Sequence, residues 1–577
     1  MLEVNNTERF RLTKLDLGAC LIVLVSATLL VLPILIHGLP NGDDAQMHYR
    51  RTTDFIEALR EGSLYPRWLP KSNFGQGSPV MLYYPPLPFY LSGAFSLFIR
   101  DPMKVLSVTC WLGMVLSGLS MYLFSRSVLP MSIALFTSLL YMAMPYHIFD
   151  LYYRSALSEY WSFAWLPLVF GATRRVLLER RWAAIAYLAV AYSLLLLTHV
   201  LISFLITLLL PIYVLTHTTE FRRWLRVAAS LGIGVMISAV FIVPLLLERD
   251  YVRLDRSLRI PFKNFFLFEN VAGAVQLHRF PTPAEHSTYF GNALDLVSVG
   301  LPLLLIVAAA VLLRGKQFLN TPVHRSLVRS LFVIALLSLL MTIRLSTPVW
   351  NAWSQLHYIQ FPFRWLTITT PTAVMLSGIA LFVAVRLGKF RVLYCVALAA
   401  AAVINIATSA LGITQATYDR DVLEQGLGAA EVAEYRTVWL DRQKSLDETI
   451  KPAIIVTEGD ADVSVIDDSG RWQTYTANVR TPSILALRTY YFPGWIVRVD
   501  GRPIEATPNT FGNIQLAVGP GDHSISLTFE DTWPRTAGKI ISVAAVFSFL
   551  IAIGYGVRKS RTASLTGSRR KDQNDAQ

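Results

Sequence analysis

Cysteine is almost missing from this chain. Cys20, Cys110 and Cys395 are the only three in 577 residues, and all fall inside apolar runs. That excludes a disulfide framework and a cysteine-built zinc set. Charge is scarce too. Asp, Glu, Lys and Arg make up 16% of the chain, against about 25% in globular domains, while 53% is hydrophobic. A polytopic membrane protein is therefore expected rather than a soluble one. The ten histidines are scattered without close ligand spacing, which argues against a histidine zinc centre. The net charge of +13 does not gather on one domain but punctuates the apolar runs, so it points to membrane orientation and not to nucleic acid. The first apolar run is too long for a cleaved signal, lacks a small-residue cleavage site, and reads as a retained helix.

What is abundant is apolar sequence. Twelve runs near crossing length lie at about 16–36, 105–124, 130–148, 161–174, 182–198, 200–216, 227–247, 296–313, 330–345, 365–385, 392–412 and 537–557. A further run, Pro85–Phe98, is short and opens on Pro-Pro, so an interfacial or re-entrant helix is expected there. Skipping it places the basic loops and the tail Arg558–Lys571 on one side, which the positive-inside rule makes cytoplasmic, with both termini. The long loops then face outward. The expected fold is a polytopic α-helical membrane protein of about twelve spans with a small extracytoplasmic β-sandwich near the C-terminus. Its parts are a transmembrane unit over 1–412 with outer loops 38–104 and 248–295, an outer region over 413–536, a last span at 537–557 and a basic tail at 558–577. The sandwich, at about 450–531, follows from the strand-like runs Ala453–Thr457, Asp462–Ile466, Trp472–Val479, Ser483–Tyr491, Trp495–Val499 and Ser524–Phe529. Asp500-Gly501 signals a type I′ hairpin, and Gly519-Pro-Gly-Asp522 another turn.

The chemically informative residues collect at the outer ends of the spans. Asp43 and Asp44 follow the first span, with His48 just beyond. Charge near lipid is costly and calls for a reason. Asp150, Arg154 and Glu159 follow the third span, His278 and His286 lie in the middle loop, and Arg364 begins the tenth span. A carboxylate can take the proton of an acceptor hydroxyl while cations stabilise a departing phosphate. At a membrane surface the natural leaving group is a polyprenyl phosphate, and Arg binds phosphate oxygens bidentately. Each residue also has a plainer reading: Asp43-Asp44 as a solvated loop or helix cap for Ala45–Arg60, Arg154 with Glu159 as a structural ion pair, Arg364 with Trp365 as an interfacial anchor. The aromatics Tyr490, Tyr491 and Trp495 suit a sandwich core better than a sugar platform.

With these motifs in hand, the chain resembles the C-type (GT-C) membrane glycosyltransferases. It shares a first span, an acidic pair in a long outer loop, and interfacial helices opening on a Tyr/Pro-Pro run. Its Asp-Leu-Tyr-x-Arg-x-Ala-x-x-Glu pattern at Asp150–Glu159 is similar to that of the YfhO-like branch. So are Phe361–Trp365 and the Tyr-Tyr-x-Pro-Gly-Trp…Val-Asp-Gly pattern at Tyr490–Gly501. The resemblance implies transfer of a sugar from a polyprenyl-phosphate donor to an extracytoplasmic glycan, lipid or protein acceptor. Asp43 or Asp44 would be the general base or, if a divalent cation such as Mg or Mn takes part, its ligand. His48, Arg154, Glu159, His278, His286 and Arg364 would hold substrate and phosphate. Sequences of this kind are also described as related to 6-pyruvoyl-tetrahydropterin synthase, whose zinc-binding histidine cluster has no counterpart in these spacings. The competing reading is a non-catalytic membrane protein for lipid-linked glycan transport or cell-envelope assembly. Ionisable groups at the span ends rather than at mid-membrane, and the lack of paired halves, favour the enzyme.

Overall fold

In lipid every backbone amide must find its partner within the chain, so long apolar runs become helices. The computed structural model describes residues 13–259, 262–268, 286–319, 321–427, 431–440, 452–470 and 472–552, and among these each of the twelve runs lies mostly on helix. Apart from short turns of helix, the order is α1 (Lys14–His37), α2 (Ala45–Arg60), α3 (Leu87–Phe95), α4 (Pro102–Arg126), α5 (Met131–Met142), α6 (Pro145–Tyr152), α7 (Leu157–Leu178) and α8 (Trp182–Leu196). Then come α9 (Val200–His217), α10 (Phe221–Ile237), α11 (Ala239–Leu247), α12 (His286–Arg314), α13 (Pro322–Leu340), α14 (Leu366–Ala384), α15 (Arg391–Thr414) and α16 (Trp533–Ala552). Among the described residues nine helical stretches are long and apolar enough to cross a membrane, and the bent pair α10–α11 would make a tenth. The chain is thus a multi-pass helical membrane protein. Of the two remaining runs, α7 has the length but carries Glu159, Arg174 and Arg175, and α8 has only 15 residues. The expected interfacial run is α3, nine residues and about 14 Å long, which is too short to cross.

Two runs depart from the simple reading. The third run breaks at Ala143-Met144, because Pro145 starts a new helix at its first position. Asp150 therefore sits in the last turn of α6, fully buried, and not in an outer loop. The run 227–247 bends by 80° at Ser238. Ser542 of α16 repairs that break, donating to the Ile237 carbonyl at 2.9 Å and accepting from Val240 N–H at 2.7 Å. Pro362–Ala384 forms the heart of the bundle with 89% of its apolar window buried, whereas α16 is peripheral at 17%.

The C-terminal region folds as two antiparallel sheets. One has the order β1 (Ile454–Glu458), β4 (Ser483–Tyr490), β8 (Asn513–Val518), β7 (Thr507–Pro508). The other runs β2 (Ala461–Ser469), β3 (Trp472–Val479), β9 (Gly521–Phe529), β5 (Trp495–Val499), β6 (Arg502–Ile504). Asp500 and Gly501 both take positive φ, 52° and 77°, between paired Val499 and Arg502, as a type I′ turn requires. Tyr475, Val497, Ile525 and Leu527 from one sheet and Leu485, Leu487, Ile514 and Leu516 from the other share one buried cluster. Tyr490 and Trp495 belong to that core, 3% and 8% exposed.

This unit is fixed to the helical part through the loop after α2. Trp68, 2% exposed, packs against Trp495 and Phe529 at 5.3 Å and Phe492 at 6.2 Å. Gly77, at φ 85°, lies against the same indole with no room for a Cβ. Tyr490 N–H donates to the Gln76 carbonyl and Asn513 Nδ2 to Gln76 Oε1, both at 2.9 Å. Arg67 pairs with Asp531 at 2.5 Å and Arg535 with Glu248 at 2.9 Å. Removing so large a buried ring costs about 3–5 kcal/mol. Trp68→Ala is therefore expected to loosen the sandwich first: limited proteolysis should release a fragment of the C-terminal region while the helical part stays intact.

Candidate functional site

The acidic loop is shaped by its neighbour across the bundle. Asp43 N–H donates to the Tyr153 carbonyl at 3.2 Å, Asp44 N–H to the Arg154 carbonyl at 2.8 Å, and Ser155 Oγ to the Pro40 carbonyl at 3.1 Å. The two loops lie so close that a Cβ on Gly42 would meet Ser155 Oγ and the Tyr153 carbonyl at 2.5 Å. Ser155 itself is held at φ 51°, a conformation L-residues seldom adopt outside functional or tightly packed sites. This docking separates the two carboxylates. Asp43 is exposed, whereas Asp44 is half-buried and turns inward. Asp44 occupies the cap position of α2, yet its side chain makes no capping hydrogen bond. Burial raises its carboxyl above the usual carboxylate range, while the guanidiniums of Arg154, Arg364 and Arg51 pull it back down.

Beneath Asp44 lies a buried ionic group built from α6, α7 and the start of α14. Arg154 Nη1 bridges Asp150 Oδ1 at 2.5 Å and Glu159 Oε2 at 2.7 Å. Arg364 Nε reaches Glu159 Oε2 at 3.2 Å, and Tyr146 and Thr367 donate to Oε1 at 2.7 and 3.0 Å. Glu159 thus accepts four bonds, filling a carboxylate's lone-pair sites. Arg364 Nη1 is anchored by the Ile359 carbonyl and by Gln360, a residue held at φ 66°. Arg154 spends only Nη1 on these carboxylates, and its Nε and Nη2 make no hydrogen bond to the described residues. The plain reading of Arg154 and Glu159 as an ion pair is thus part of the truth: Glu159 is fully committed, and Arg154 keeps donors in hand.

A second cluster closes the other side. Arg50 and Arg51 of α2 bind Glu431 at 2.8 and 2.5 Å, with Glu431 fully buried and its N–H donating to Asn73 Oδ1 at 2.8 Å. The Arg51 guanidinium lies over the rings of Tyr84 (4.6 Å) and Tyr435 (5.2 Å). Tyr84 in turn contacts His48 Nε2 at 3.4 Å. His48 is fully buried, and burial with the nearby Arg51 charge pushes its imidazole down to about 3. It is neutral at pH 7, so it offers a hydrogen bond rather than a charge for phosphate.

The structure therefore brings Asp44, His48, Arg154, Glu159 and Arg364 together and leaves Asp43 at the surface. His278 lies outside the described residues, and His286 opens α12 with its side chain undescribed. Arg51 and Glu431 join the group without having been singled out, as does Tyr84, which the Tyr83-Tyr84-Pro85-Pro86 run suggests only as a belt aromatic at a helix start. Arg51 sits on what reads as the polar face of an amphipathic helix, and Glu431 in a patternless loop. The one usable signal was Tyr84, just before Pro85-Pro86. Among the described residues no three His, Cys, Asp or Glu side chains stand together as a metal site. The described side chains do not form a cage for the divalent cation that the resemblance allows.

No curated protein matches the chain. Among solved structures, the crystal structure of ArnT from Cupriavidus metallidurans in the apo state is similar at 17% identity over 64% of this chain and 78% of that one. The TM-score is 0.28, too low to carry an argument. Residues 81–416, more than half of the chain, match the 6-pyruvoyl-tetrahydropterin synthase related domain, described as a membrane protein. That stretch runs from the Tyr84 segment through Asp150, Arg154, Glu159 and Arg364 to the end of α15, so the chain belongs to the 6-pyruvoyl-tetrahydropterin synthase related family of membrane proteins.

Proposed function

We propose that this protein is a membrane glycosyltransferase that moves a sugar from a polyprenyl-phosphate donor to an acceptor at the extracytoplasmic face. The observation that carries the reading is Asp44: a half-buried carboxylate, unspent on its helix, among Arg51, Arg154 and Arg364. The resemblance of the surrounding motifs to GT-C enzymes points the same way. In the proposed step the acceptor hydroxyl gives its proton to Asp44, and its oxygen forms a bond to the anomeric carbon. The bond from that carbon to the phosphate oxygen breaks, and polyprenyl phosphate leaves with the electron pair. Arg154, through Nε and Nη2, and Arg364 stabilise the departing oxyanion. Glu159 and Asp150 hold those guanidiniums in place, and Arg51 tunes Asp44.

The test is transfer in proteoliposomes from polyprenyl-phosphate sugars to lipid and glycan acceptors. Sugar transferred by the wild type above protein-free vesicles supports the reading. Intact donor across the panel, with the protein folded, counts against it.

A base must be ionised to act, so the rate should rise with pH through the raised Asp44 value and then level. Arg51→Met removes one of the charges that lower that value. The rising limb should therefore move to higher pH, read from kcat/KM profiles of the two proteins.

A further inference from the structure

The opposite end of the bundle holds a second group of polar side chains that the transfer reaction does not use. Arg174 lies 15 residues beyond Glu159 on α7, about 22 Å further along the helix. Phe170 and Tyr213 meet ring to ring at 5.8 Å between α7 and α9. One turn further on each helix come Arg174 and His217, on the same faces as those rings. Arg174 is close enough to Tyr213, His217 and, at the start of α13, His324 to act on all three electrostatically.

These groups are poorly satisfied. Tyr213 is fully buried, and its hydroxyl has no hydrogen-bond partner. His217 gives Nδ1 to the Tyr213 carbonyl at 2.8 Å, leaving Nε2 buried and unbonded. Arg174 Nε is also buried and unbonded, and Arg174 forms no ion pair among the described residues. Its neighbours are committed elsewhere. Arg223 binds Glu220 and the Leu177 carbonyl, Arg226 binds the Glu179 carbonyl, and Arg175 lies over the Tyr187 ring. The N-terminus of the 19-residue α13 opens here as well, capped by Thr321. It adds the partial positive charge of its unpaired amides.

A half-buried guanidinium that feels Glu179 at a distance but forms no ion pair among the described residues, a buried hydroxyl donor and a helix N-terminus are complementary to an anion with several oxygens. Their place, between membrane-spanning helices at the end carrying Arg175, Arg180, Arg181, Arg222 and Arg223, is where lipid headgroups lie. We propose that Arg174, Tyr213 and the start of α13 form a binding site for a phosphate group, presented by the headgroup of an anionic membrane lipid.

The full-length protein in phosphatidylcholine nanodiscs, titrated with phosphatidylglycerol or with inorganic phosphate, tests this by bound-lipid mass spectrometry and thermal midpoint. Phosphatidylglycerol should bind the wild type and raise its midpoint. Arg174→Gln should weaken that binding about tenfold, the effect of losing a charge-assisted pair. Tyr213→Phe, which keeps the packing, should weaken it a few-fold and serves if the first variant does not fold. A shift with inorganic phosphate alone, abolished by the same variants, keeps the phosphate site but overturns the lipid as its source. Equal phosphatidylglycerol binding by wild type and both variants, or no response to either probe, overturns the site.

Discussion

Asp44→Asn is expected to lower sugar transfer by about 10²- to 10⁴-fold, the usual contribution of a positioned general base. The substitution conserves size and removes no helix cap, because the Asp44 carboxylate makes no capping bond. Loss of rate with an unchanged thermal midpoint therefore reads as lost proton transfer. Asp43→Asn is the internal control: its side chain is exposed while Asp44 faces the arginines, so less than about a fivefold change is expected. A large loss in Asp43→Asn with a small one in Asp44→Asn would reassign the base. Full activity in both would leave Asp43 and Asp44 without a catalytic role and would assign the base to another group.

The second large effect is on stability. Glu159→Ala should cost about 3–5 kcal/mol, because it strips the shared acceptor from Arg154 and Arg364 in a buried site. Tyr146 and Thr367 lose their acceptor at the same time. Glu159→Gln keeps an acceptor for those hydroxyls but turns an amide N–H₂ toward two guanidiniums, so it should recover only part of the loss. Equilibrium unfolding in mild detergent gives the values. The double variant Glu159→Met with Arg364→Met should be less destabilised than the two single changes summed, since it removes both charges of one contact. Strict additivity would show that Glu159 and Arg364 do not depend on each other.

Sequence reasoning reached the helices because lipid leaves a backbone few alternatives, and it reached the Asp500-Gly501 hairpin because left-handed turn positions favour few residues. It missed the strands Arg502–Ile504, Thr507–Pro508 and Asn513–Val518, which are short or lack clean alternation and exist because their neighbours pair with them. At the site, Asp150, Arg154 and Glu159 were visible as a spaced motif, as was Arg364 beside its tryptophan. What separated Asp44 from Asp43 was a contact with the Tyr153–Arg154 backbone, more than 100 residues away, and no local pattern encodes that. Arg51 and Glu431 were hidden for the same reason, each looking like solvated charge until the other is placed beside it.

The Arg50–Arg51–Glu431 link also bears on how the molecule is made. Its partners are separated by 381 and 380 positions, so α2 enters the membrane surface long before its counter-charge is synthesised. A nascent chain that ends short of residue 431 holds the neighbouring Arg50 and Arg51 guanidiniums, the latter acting on Asp44, with no Glu431 to offset them. The Asp44 environment is therefore completed only when the segment leading into the sandwich arrives. Chains truncated within α15 should insert yet lack the Glu431 partner, so that the Arg50–Arg51 pair is neutralised only once the segment after α15 has been translated.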